Sequence, residues 1–135
     1  MADRTRLGQK KYTPVFNANR EDPDGPFVIL HRPLIRAYQL KSMDVSAEIE
    51  EARAPDDAPR RESVAALKRV SALNDAFIDE ALDAHVIGAE NLTEGGKPMD
   101  RVGVLAMLKE FPELGTEVYN AIFNSGNLTE ADAGN

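Results

Sequence analysis

A chain of 135 residues with a formal net charge of −7 is long enough to bury one core and acidic enough to repel a phosphate backbone. Cysteine is absent, which excludes disulfides, thiolate metal sites and cysteine nucleophiles. Tryptophan is absent too and aromatic residues make up only 6%, so the core must be mostly Leu, Ile, Val and Ala.

The first residues carry Arg4, Arg6, Lys10 and Lys11 against Asp3 and contain no apolar run. They read as a flexible basic arm over 1–10 and not as a secretory signal. No stretch approaches the roughly 18 apolar residues that a membrane span needs. The expected location is the cytoplasm of whatever cell makes the chain, with no membrane partner. Nucleic acid is an unlikely partner for so acidic a body.

Two runs have strand character, Tyr12–Phe16 and Pro26–His31. Pro14 makes the first an edge strand or an extended arm. The segment between them is dense in turn formers. An antiparallel hairpin over 11–31 is expected, and a lone hairpin must pack on helices or pair with another chain to be stable.

Pro33 is preorganised for a first helical position, so a helix is expected over about 33–53. Leu34, Ile35, Ala37, Tyr38 and Met43 are its candidate buried stripe, with a possible break across 42–46. Pro55 and Pro59, with Asp56 and Asp57, predict a surface loop. The clearest element follows, over about 62–85. Val64, Leu67, Val70, Leu73, Phe77, Ile78, Ala81 and Leu82 recur at steps of three and four, one face of a helical period. At 1.5 Å per residue it spans on the order of 36 Å.

Val86 to Pro98, a small apolar run followed by a polar turn on Gly95 and Gly96, then reads as a tight excursion between helices. Asp100 then caps a helix over 100–110, which Gly103 weakens by roughly 1 kcal/mol. Phe111 and Pro112 end it and open the last helix, over 112–124, with Gly126 as its stop. The tail 127–135 reads as flexible. The fold class is mainly α with a small N-terminal β-hairpin, α+β, in a single compact domain over 11–126.

No constellation carries chemistry. His31 and His85 are far apart in sequence. His85 falls in the last turn of a helix, where the dipole favours a partly positive imidazole. No His/Glu pair has an i, i+4 ligand spacing, and Gly95-Gly96-Lys97 lacks the phosphate-loop pattern. No enzyme activity, metal or cofactor is expected.

A binding surface is better supported. In the last helix Leu114, Val118 and Ile122 face one way, and Tyr119 and Phe123 lie on their flank. The apolar arc is roughly 200° wide, where one core contact uses a little over 100°. These five are the candidate protein-binding residues. Leu114, Val118 and Ile122 are expected to face the core; the surplus at Tyr119 and Phe123 is either a second contact within the domain or, as their residue types favour, a partner or subunit interface.

Several short motifs fall in order along the chain. They are Arg32-Pro33 after the strand, Val86-Ile-Gly-Ala-Glu-Asn-Leu92, Gly95-Gly-Lys-Pro98, Val104-Leu-Ala-Met-Leu108 and Phe111-Pro-Glu-Leu114. In this order they resemble the tail assembly chaperones of long-tailed phages over roughly residues 26–126. The chain departs from that pattern at Ala89, where the family tends to carry Trp, and at Gly95, where Asp is common. The resemblance implies a non-catalytic protein that coats the helical tape-measure protein and keeps it soluble. It also implies recruitment of tail-tube protein, self-association into a homo-oligomer, and absence from the finished particle. Two alternatives remain open. One is a structural head–tail joining or tail-terminator protein. The other is a small regulator that uses the basic arm on nucleic acid.

Overall fold

The computed structural model describes residues 8–15 and 25–127. Most of the expected basic arm, the loop between the first two strands and the tail beyond 127 lie outside them. The described residues form β1 (Lys10–Tyr12), β2 (Val28–His31), α1 (Arg36–Ala52), α2 (Arg60–His85), β3 (Val86–Glu90), β4 (Thr93–Glu94), β5 (Lys97–Pro98), α3 (Arg101–Glu110) and α4 (Pro112–Asn127). The α+β class is as the sequence implies.

The N-terminal hairpin forms, but its first strand is Lys10–Tyr12, ahead of the expected run from Tyr12, and it takes Lys10 out of the expected arm; Lys10 lies opposite His31 and Tyr12 opposite Ile29. It is not alone. β3 pairs antiparallel with β2, placing Ile29 opposite Ala89 and His31 opposite Val86, so the sheet order is β1-β2-β3. The segment expected to be part of a turn between helices is therefore the strand that completes the sheet. The helical pattern runs into it without a breaker, because α2 ends at His85 and β3 begins at Val86. Along β2 burial alternates with the strand period of two: Ile29 and His31 point inward.

The Gly95-Gly96 turn joins the short ladder of β4 and β5. Both glycines have positive φ, 59° and 83°, as the two central positions of a type I′ hairpin turn require. Asn91 also lies in the left-handed region, at φ 61°, and its side-chain amide donates to the carbonyls of Gly25 and Pro26 at 3.2 Å each. That holds the start of β2 beside the end of β3.

α1 begins at Arg36 and not at Pro33. The link from β2 is held extended instead: Arg32 N–H donates to the His85 carbonyl at 2.8 Å, and Ile35 N–H donates to His85 Nε2 at 3.0 Å. There is no break across 42–46. At the other end of the chain, Asp100 caps α3 by accepting from Gly103 N–H at 2.8 Å. A Cβ on Gly103 would lie 2.8 Å from Met99 Cγ, so the glycine belongs to this cap. Pro112 opens α4 as expected, but the helix continues to Asn127, past the predicted stop at Gly126.

The core is one cluster. Phe27 and Ile29 come from the sheet side, Ile78, Leu82 and Val86 from α2 and β3, Val104, Leu105 and Leu108 from α3, and Leu114, Val118 and Ile122 from α4. Gly115 lets α4 cross the end of α3 closely, since a Cβ there would sit 2.6 Å from the Leu108 carbonyl oxygen. Polar ties fix the rim. Tyr12 Oη donates to Glu117 Oε1 at 2.6 Å, and Val15 N–H donates to the same oxygen. Burial, with help from the Glu117 carboxylate, pushes the Tyr12 phenol up to about 12. Arg101 Nε donates to the Val86 carbonyl at 3.0 Å and so caps the α2–β3 junction.

Candidate interaction surface

The core occupies only one end of α2. Its buried residues are Phe77, Ile78, Ala81, Leu82 and His85, all in the C-terminal third of a helix of 26 residues. α1, at 17 residues, has none. The two helices lean on each other and extend away from the core as an antiparallel hairpin.

The hairpin has a seam of its own. On α1 the half-buried positions are Tyr38, Ser42, Val45, Ile49 and Ala52; on α2 they are Ser63, Ala66, Val70 and Leu73. Both sets step by three and four, the spacing of a narrow coiled-coil contact. At its base Tyr38 stacks against Phe77, with ring centroids 6.3 Å apart, and meets the edge of His85 at 5.2 Å. Lys41 and Glu80 form an exposed ion pair between the helices.

Outside this seam the hairpin carries apolar side chains that nothing among the described residues covers. Leu40 is 56% exposed, Met43 67%, Val64 42% and Leu67 65%. With Tyr38 marking the seam, Leu40, Met43 and Ala47 lie about 140–200° round, on the back of α1. Val64 and Leu67 prolong along α2 the stripe that Ile78 and Leu82 bury in the core. The expected buried stripe of 62–85 is thus only partly buried, and Met43 is not buried at all. Periodicity identifies an apolar face; it does not say what lies against it.

The sequence-derived candidates fall elsewhere. Leu114, Val118 and Ile122 are core residues, at 2%, 0% and 0% exposure, so they offer nothing to a partner. Tyr119 and Phe123 are half-buried, with ring centroids 4.6 Å apart, and each packs edge-on against Phe77 at 6.0 Å. Burial pushes the Tyr119 phenol up. The surplus arc of the last helix is therefore largely used within the domain, on Phe77. Of the exposed hairpin residues, Leu40 is missed by a one-stripe reading of α1. The signal was present as a second stripe, Leu40, Met43 and Ala47, opposite the first.

The two histidines, distant in sequence, come together beside the β2–α1 link. His85 is fully buried and His31 nearly so. His85 Nδ1 donates to the Ala81 carbonyl at 2.7 Å while Nε2 accepts from Ile35 N–H. That pattern needs a neutral ring. Burial holds both imidazoles below their ordinary range, against the hydrogen bonds to the Arg32 and Ala81 carbonyls that oppose it. The dipole-favoured, partly positive His85 expected from its helix position is corrected: burial outweighs the helix terminus. Among the described residues no group of three or more His, Asp or Glu side chains is placed to hold a metal ion, and no helix is long and apolar enough to cross a membrane.

Comparison with protein-family models, curated proteins and solved structures finds no match. What the chain does must be argued from its own surface.

Proposed function

We propose that this chain is a non-catalytic assembly chaperone that holds a long amphipathic helical partner in solution, in the manner of the phage tail assembly chaperones its motifs resemble. The observation that carries the reading is the hairpin: α1 has no buried residue, and Leu40, Met43, Val64 and Leu67 stand exposed beside it. A monomer has no use for such a stripe, whereas an apolar helix laid against it buries area on both sides. The acidic balance of the chain supports the same role, since net charge keeps a carrier of apolar cargo soluble. On this reading the partner is the tape-measure protein, tail-tube protein is recruited later, and the hairpin replaces the last helix as the contact surface.

The test is co-expression with a tape-measure protein. The wild-type chain should move that protein from the pellet to the soluble fraction and co-purify with it. Leu40→Asp/Leu67→Asp should stay folded and lose this effect, because a carboxylate would have to be desolvated in the contact. A tape-measure protein that stays insoluble with wild-type chain present counts against the reading. Recovery of the chain in purified particles would favour the head–tail joining or terminator role instead.

A further inference from the structure

We propose that His85 is a proton-operated latch for the hairpin: mild acid releases the link from β2 to α1, and α1 swings off α2 while the core stays folded. Two hydrogen bonds from the link both end on His85. Arg32 N–H donates to its carbonyl at 2.8 Å, and Ile35 N–H, at the N-terminal boundary of α1, donates to its Nε2 at 3.0 Å. The other ring nitrogen is committed as a donor to the Ala81 carbonyl at 2.7 Å, so the ring has no second acceptor to offer. A proton on Nε2 sets two donors face to face where Ile35 N–H needs an acceptor. Ile35 N–H then has no partner unless the link moves.

The groups around the ring add to the effect. Arg32 bears on it from the link, His31 from β2, and Lys10 of β1 lies opposite His31. From α1 the neighbour is the Tyr38 ring, edge-on at 5.2 Å. On its own helix Glu80 and Asp83 are paired outward with Lys41 and Lys109. Among the described residues no carboxylate acts on either imidazole, so an added proton meets cations and no counter-charge. α1 can leave without emptying the core. It has no buried residue, and the core cluster contains none of its side chains. Leu34 of the link packs on the core and stays as the pivot. Beyond it α1 is held by the half-buried seam, the exposed Lys41–Glu80 pair and the Tyr38–Phe77 contact. Its release uncovers Val45, Ile49, Val70 and Leu73 beside the apolar side chains already exposed. Acid thereby enlarges the surface offered to a partner. The latch belongs to the hairpin itself and needs no client, so it and the chaperone reading can fail independently.

The experiment is amide hydrogen exchange on the purified full chain at about pH 7.5, 6.5 and 5.5, each rate divided by that of an unstructured peptide at the same pH. Opening of α1 should rise about tenfold between the first and the last, as one ring that charges only when α1 is released requires. α4 should stay better protected than α1 throughout. In His85→Gln the side-chain oxygen still accepts from Ile35 N–H but takes no proton, and α1 opening should change by less than about twofold over the same range. Ile35→Pro removes the donor at a backbone φ of −77° that proline accepts, and should open α1 about tenfold at pH 7.5. That variant keeps the test should His85→Gln lose its circular dichroism. Wild-type α1 exchange that ignores pH, an equal acid response in His85→Gln, unchanged α1 exchange in Ile35→Pro, or equal protection of α1 and α4 at pH 5.5 would each overturn the inference.

Discussion

Gly115→Val should cost the fold on the order of 2–4 kcal/mol, lowering Tm by roughly 5–15 °C. Gly115 is buried where α4 crosses the end of α3, and an added Cβ meets the Leu108 carbonyl oxygen at 2.6 Å. The obstacle is backbone, so relief requires the two helices to part. Parting them loosens Leu108 and Leu114, both almost wholly buried. Gly115→Ala should be milder, because alanine recovers roughly 1 kcal/mol of helix propensity. Gly88→Ala is the control. A Cβ on Gly88 in β3 meets nothing within 4 Å, and its backbone is ordinary, so that change should be neutral or slightly stabilising. Thermal melts of the three variants side by side check the order. Equal behaviour of Gly115→Ala and Gly88→Ala would mean that the close crossing of α3 and α4 does not limit stability.

The second large effect belongs to His85. Its ring makes three contacts that tie α2 to the start of α1: Nδ1 donates to the Ala81 carbonyl on α2, Nε2 accepts from Ile35 N–H at the entry to α1, and the ring meets Tyr38 on α1 edge-on. His85→Ala leaves Ile35 N–H without its acceptor and opens a cavity under Tyr38, for about 2–4 kcal/mol. The pH dependence has a definite sign. Burial lowers the folded-state affinity of His85 and His31 for a proton, so on acidification the unfolded chain binds protons first. The stability these rings contribute is complete above about pH 6.5, their unfolded value. It declines as pH falls below that value, by up to about 1.4 kcal/mol per pH unit for each ring. Urea midpoints at pH 7.5, 6.5 and 5.5 should therefore fall for wild type, and fall less for His31→Gln/His85→Gln. Parallel curves would show that carboxylates, not these rings, set the acid limit.

The same residues show what the sequence makes legible. The period of Leu114, Val118 and Ile122 identified core positions, and all three are buried. The Asp100 cap and the Pro112 start were readable because each rests on local backbone chemistry. β3 was not readable in this way. Val86 follows His85 without a breaker, and a short apolar run carries no period of its own. The need of the N-terminal hairpin for a further partner was the available sign that another strand existed. Pro33 pointed to a helix start, but hydrogen bonds to His85 from the far end of α2 keep the link extended to Ile35. No local pattern reports such a partner. The stripe of α2 failed for a related reason: Val64 and Leu82 obey one period, and only the position of the core decides that one is 42% exposed and the other 1%.

The central claim, that the α1–α2 hairpin is the contact surface and α4 is core, is tested most directly by amide hydrogen exchange along the full chain. In dilute solution peptides from α1 and the N-terminal half of α2 should exchange quickly, because they rest on few buried contacts, while α4 and the C-terminal third of α2 exchange slowly. On assembly or on binding a tape-measure protein, new protection should appear in residues 36–73 and leave 112–125 unchanged. New protection confined to α4 or to the strand edges of β1 and β3, with the hairpin still exchanging freely, would contradict the account.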